Sequence, residues 1–143
     1  MPPPDPKGAP TADGRWEQRA DADPASVGLL RTGIVAFADR HGADRAARAD
    51  IALAASEALT NAVVHAYIDR PSGTLLVIAE CFDDGLVVRI IDDGSGMVER
   101  ADSPGLGLGL RLMAQLTEDL DIRVGPDGRG TETCLTFAHA LAA

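Results

Sequence analysis

The sequence predicts an α+β fold, a two-layer α/β sandwich in which a mixed, mostly antiparallel sheet carries three helices on one face. Three observations predict it. Strand-like and helix-like segments follow in the order strand, helix, helix, hairpin, helix, hairpin. Two pairs of β-rich runs are each joined by a short Asp/Gly turn, the strongest local hairpin signal. With 45% hydrophobic but only 3% aromatic residues, the core has to be built from Leu, Ile, Val and Ala.

The elements follow from local chemistry. Residues 1–13 hold five of the nine prolines and little to bury, so they read as a disordered Pro-rich tail preceding one domain, 14–143. GRWEQRA, with Trp16 as its one large anchor, reads as a short edge strand. Asp23-Pro24 marks a helix start with proline in the first helical position. Val27, Leu30, Ile34 and Phe37 then recur at helical spacing until His41-Gly42. A longer helix is predicted from about Ala43 to Tyr67, with Ile51, Ala55, Leu59, Ala62 and Ala66 along one face, and Arg70-Pro71-Ser72-Gly73 breaks it. TLLVIAECF and LVVRII flank an Asp83-Asp84-Gly85 turn. A third helix covers about Leu106 to Thr117. DLDIRV and TETCLTF flank Gly125-Pro126-Asp127-Gly128.

Bulk properties narrow the function. A chain of 143 residues suits one domain with a real core. The net charge of −9, from 22 acidic and 13 basic residues, argues against direct nucleic-acid binding or attachment to anionic membranes. No apolar run approaches the roughly 18 residues that span a bilayer, and no secretory signal is legible. Cys81 and Cys134 lack metal-ligand spacing and read as reduced thiols, so a cytoplasmic location is expected.

Three motifs carry chemistry. In SEALTNAVVHAY, Glu57 and Asn61 are four residues apart on a helix and point the same way, with His65 one step further along the row. The Ala/Leu stripe lies roughly opposite, so the row is expected to face away from the sheet. By itself such a row is more often a solvated helix face. Functionally it offers a carboxylate for base work beside an amide oxygen able to ligate a hard cation such as Mg²⁺. Asn61 is a poor helix former in mid-helix, which its own propensity does not explain. Second, Asp92-Asp93-Gly94-Ser95-Gly96 follows a buried strand. It can be a plain turn, or a place where glycines let a flat ligand approach and a carboxylate accepts from an exocyclic amine. Third, Gly105-Leu106-Gly107-Leu108-Gly109 opens a helix whose N–H groups can meet phosphate oxygens. Its spacing is neither G-x-G-x-x-G nor a P-loop.

Taken in order, the three motifs resemble the nucleotide-binding boxes of the GHKL ATPase/kinase superfamily and its Bergerat fold. Glu57 to Ala66 is similar to the N box, Asp92-x-Gly94-x-Gly96 to the first glycine box, Gly105-x-Gly107-x-Gly109 to the second, and Gly130-Thr131 to the final box. Within the superfamily the chain looks most like the bacterial anti-sigma-factor serine/threonine kinases. The gap of only residues 97–104 between the glycine boxes sets it apart from histidine kinases with their longer lid.

The resemblance implies the roles. Asp92, supported by Thr131, would accept the adenine amino group of ATP, and Gly94 and Gly96 would let the base sit against the chain. Asn61 would ligate Mg²⁺. Gly105, Leu106, Gly107, Leu108 and Gly109 would wrap the phosphates, and His65 would approach them or serve the helix alone. Glu57 would be the general base for a serine hydroxyl. The resemblance also implies an anti-sigma-factor antagonist as phosphoacceptor, a sigma factor as the sequestered partner, and a homodimer. An ATP-binding regulatory module that sequesters a partner without phosphotransfer keeps the same site, and so does a chain that hydrolyses ATP or phosphorylates histidine.

Overall fold

The structure, a computed structural model, describes residues 14–65, 73–94 and 106–141. The expected Pro-rich tail, the end of the second helix beyond His65, the break at 70–72 and the segment 97–104 lie outside the described residues. Eight elements follow one another: β1 (Arg15–Asp21), α1 (Pro24–Arg40), α2 (Arg45–His65), β2 (Thr74–Phe82), β3 (Gly85–Asp92), α3 (Leu106–Leu116), β4 (Asp119–Val124) and β5 (Thr131–Phe137).

Helix boundaries are set where the sequence marks them. The Asp23 carboxylate caps α1 by accepting from the Ser26 N–H at 3.0 Å, and Pro24 supplies the first helical φ. His41 closes the helix, and the chain leaves through Gly42 at φ 100°. Asp44 caps α2 by accepting from the Ala47 N–H at 2.8 Å, so that helix starts two residues later than the expected Ala43.

The five strands form one sheet in the order β1-β2-β3-β5-β4, with every pairing antiparallel. The expected mixed sheet is thereby corrected. β4, reached through α3, runs parallel to β3, but β5 folds back between them and takes the place where a parallel pair would have formed. GRWEQRA is the edge strand β1, as expected. A second correction concerns the first hairpin: its loop is Asp83-Asp84 alone, and Gly85 already pairs with Phe82. Asp83 supplies the positive φ of 54° that a two-residue hairpin turn needs, which a short polar side chain tolerates.

Strand alternation sorts the side chains. Leu75, Val77 and Ala79 of β2, Leu86, Val88 and Ile90 of β3, and Leu135 and Phe137 of β5 face the helices and form the core. Against them pack Leu30, Ile34 and Phe37 of α1, Ile51, Ala54, Ala55, Ala58, Leu59 and Ala62 of α2, and Met113 of α3. All three helices therefore cover one face. The alanine-rich stripe of α2 lets that helix lie close to its neighbours, which suits a core with few rings. Trp16 fits against α1 at Gly33. The opposite face carries paired charges: Glu80, almost buried, lies 3.8 Å from Arg15 and 3.7 Å from Arg89, and Glu132 lies 3.2 Å from Arg123. Cys81 and Cys134 are free thiols on opposite faces of the sheet.

Candidate functional site

At Asn61 the polar row of α2 is not a solvated face. Asn61 is 5% exposed, because α3 packs across the row. The contact is made at Gly109. A Cβ there would stand 3.1 Å from Glu57 Oε2, 3.2 Å from Asn61 Nδ2 and 3.6 Å from Asn61 Oδ1, so the carboxylate and the amide converge on one bare turn of helix. The Asn61 Nδ2 is buried with no hydrogen-bond partner. A buried amide donor left unpaired costs roughly 1–3 kcal/mol, an outlay seldom kept unless the side chain serves something other than packing. Among the described residues no three His, Cys, Asp or Glu side chains assemble a metal cage. A cation here would take its other ligands from phosphate oxygens and water, the coordination Mg²⁺ favours when it bridges phosphates.

The second cluster lies where β3 ends. Asp92 is 3% exposed, sits on the helix-side face, and is directly opposite Thr131 of β5, which is 1% exposed. Asp92 Oδ1 accepts from the Gly94 N–H at 2.9 Å, an Asx turn that orients the carboxylate as the chain leaves the sheet. Gly130, at φ 66°, lies so close to this peptide that a Cβ would overlap the Asp92 carbonyl oxygen and stand 2.7 Å from its carbon. Two carboxylate-and-hydroxyl positions on adjacent strands thus face the helical layer at the same end of the sheet. That is a place where the edge of a flat, amine-bearing base could be read.

The remaining predicted site residues divide by position. His65 is the last residue of α2, one step of four beyond Asn61, and Leu106 and Gly107 open α3. Leu108 projects outward at 72% exposure. Gly94 is described, whereas Gly96 and Gly105 lie outside the described residues. Sequence reasoning assigned no task to Asp93 or Gly73, although the two meet. Asp93 accepts from the Thr74 N–H at 3.1 Å and from the Thr74 hydroxyl at 3.2 Å, and its carboxylate occupies the space a Gly73 side chain would fill. The signal was present as a glycine immediately before a strand and a second acid after the first.

Comparison with known proteins bears on the family and the fold. The family described as the histidine kinase-like ATPase domain matches residues 20–137. An anti-sigma F factor from Caldanaerobacter subterraneus is 32% identical over 119 residues, covering 76% of this chain and 82% of the relative. A serine-protein kinase RsbW from Bacillus velezensis is 31% identical over 122 residues, covering 75% of this chain and 76% of the relative. A solved structure of the RsbU and RsbW domains of a Mycobacterium tuberculosis protein superposes with a TM-score of 0.67 at 26% identity. It covers 86% of this chain and 32% of that longer one.

Proposed function

This chain belongs to the histidine kinase-like ATPase domain family, and we propose that within it the chain is an anti-sigma factor with ATP-dependent protein serine kinase activity. The observation that carries the reading is the convergence on Gly109 of Glu57 and of Asn61, whose buried Nδ2 has no partner, on the same side of the sheet as Asp92 and Thr131. The names of the two relatives support the kinase and the anti-sigma role.

In this reading Asp92 accepts the adenine amino group, with Thr131 beside it. The preference for ATP over GTP follows, since guanine presents a carbonyl where adenine presents an amine. Gly94 and Gly96 leave room for the base against the chain, and the turn Gly105 to Gly109, with Leu106 and Leu108, lies along the phosphates at a helix N-terminus. His65, one step of four beyond Asn61, either approaches the phosphates or serves the helix alone. Asn61 Oδ1 would hold Mg²⁺, which would supply charge neutralisation for the phosphates. Glu57 orients the serine hydroxyl of an anti-sigma-factor antagonist and takes its proton as the phosphoryl group moves, the one positioning-and-base role such a transfer asks of the protein. Modification of the antagonist leaves the chain free to hold a sigma factor. The acidic surface suits protein partners rather than nucleic acid, and no helix among the described residues is long and apolar enough to cross a membrane. A cytoplasmic homodimer completes the proposal, with sedimentation as its check.

The test is calorimetric titration with ATP, with and without Mg²⁺, on the native chain and on Asp92→Asn. It is followed by transfer of labelled phosphate from ATP to candidate antagonist proteins by the native chain and by Glu57→Ala. Binding that requires Mg²⁺ and is lost in Asp92→Asn, with phosphoserine formation lost in Glu57→Ala while ATP binding persists, supports the reading. Phosphotransfer undiminished in Glu57→Ala removes the assigned base. ATP bound with no phosphoserine formed on any antagonist makes the chain a nucleotide-gated binding module.

A further inference from the structure

We infer that Asp93 is a positioning residue for the nucleotide base. By clasping the start of β2, its carboxylate sets the place of the neighbouring Asp92. The inference rests on the proposed role of Asp92 and extends it to a residue with no assigned part.

The argument begins with the pleat. Asp92 and Asp93 are consecutive, so their side chains leave opposite faces: Asp92 toward the helices, Asp93 away from them. Asp92 is the last residue of β3 and pairs with Leu75 on one side and Thr131 on the other. Asp93 lies beyond the strand, where a chain end would fray, and stands opposite Thr74. Its carboxylate supplies the next rung in place of a backbone bond, accepting from the Thr74 N–H at 3.1 Å and the Thr74 Oγ1 at 3.2 Å. Both bonds end on an ionised acceptor and are stronger than neutral ones.

Gly73 completes the seat. A Cβ on Gly73 would overlap Asp93 Oδ1 and stand 2.8 Å from Cγ and 2.9 Å from Oδ2, so the clasp exists only because that side chain is missing. Gly73 is itself held, its carbonyl accepting from the Ala22 N–H at 2.8 Å as the chain leaves β1. The Asp92–Asp93 peptide is therefore gripped from both sides, by Gly130 of the β5 entry and by Gly73-Thr74 of the β2 entry. Opening the β2 side frees the exit of β3 to shift, and the Asp92 carboxylate shifts with it.

The experiment is calorimetric titration of the full chain with Mg-ATP and Mg-GTP, with a thermal melt of each variant. Asp93→Ala is expected to weaken ATP about tenfold and to shrink the ATP-over-GTP preference, with Tm nearly unchanged. Asp93→Asn keeps an acceptor oxygen for the Thr74 N–H and is expected to recover most of the affinity. Gly73→Ala alone is expected to match the loss in Asp93→Ala but to add less than about twofold in the Asp93→Ala background, because the clash needs the carboxylate.

Native affinity and preference in Asp93→Ala, with Asp92→Asn defective, overturn the clasp and leave the reading of the site standing. Native affinity in Asp92→Asn overturns both. Losses in Asp93→Ala and Gly73→Ala that simply add also overturn the clasp. Should Asp93→Ala fail to fold, Thr74→Val carries the test, since it removes the hydroxyl bond to Asp93 and keeps the N–H bond. A loss of about threefold at unchanged Tm supports the clasp, and unchanged affinity overturns it.

Discussion

Gly130 lies against the carbonyl of Asp92 with no room for a side chain between them, and this contact joins the exit of β3 and the entry of β5 into one surface. The backbone of Gly130 is also left-handed, at φ 66°. Gly130→Ala therefore meets a positive φ and a backbone atom that cannot move aside. A loss of about 3 kcal/mol in unfolding free energy is expected, with ATP affinity falling further than stability does. Urea titration and calorimetry on one preparation check both.

Gly109 presents the opposite balance. An alanine there improves helix propensity by up to about 1 kcal/mol, so Gly109→Ala should melt at or slightly above the native temperature. The new Cβ nevertheless presses on Glu57 Oε2 and Asn61 Nδ2 from 3.1 and 3.2 Å, and both side chains must give by a few tenths of an ångström. Phosphotransfer is expected to fall about tenfold, given how steeply such reactions depend on placement. A variant that is stable and slow would distinguish a site contact from a packing contact.

Asp23 caps α1 through the Ser26 N–H and hydroxyl, and α1 supplies Leu30, Ile34 and Phe37 to the core. Asp23→Ala should cost about 1 kcal/mol, read as a lower urea midpoint at unchanged slope.

His139 Nδ1 meets Asp84 Oδ2 at 2.6 Å on the surface, tying the β2–β3 turn to the segment after β5. The bond to Asp84 raises the imidazole pKa above its usual value, with Glu118 adding a smaller push, and the bond to His139 lowers that of the Asp84 carboxyl. The raised His139 value means its stabilisation is complete below about pH 6.5 and fades as pH rises through the folded-state value. The lowered Asp84 value means its part is complete above about pH 3.9 and fades on acidification. The clasp is therefore strongest in the mildly acidic window between. Proton NMR titration should find His139 moved back toward the ordinary value in Asp84→Asn, and an unmoved titration would show the pair does not form in solution.

Much of this protein could be read along the chain. Asp23-Pro24, the 2-residue and 3.6-residue periods, and the Asp83-Asp84 and Gly125–Gly128 turns each act over a few residues. The elements they specify appear where they stand, with shifts of a residue or two at Asp44 and Gly85. Glu57, Asn61 and Asp92 could be singled out from residue type and spacing, because a candidate base, hard ligand and amine acceptor are chemical identities, whereas Thr131 was named only by the family resemblance. What no local signal carries is which distant segments meet. Insertion of β5 between β3 and β4 set Thr131 beside Asp92 and left no parallel pair in the sheet. Packing of α3 over α2 at Gly109 buried Asn61, the middle of an apparently solvated row. The seating of Asp93 on Gly73 likewise depends on two strand ends brought side by side by the sheet. Periodicity and propensity decide conformation within a segment, whereas these contacts come from the burial of one shared core, a property of the whole chain at once.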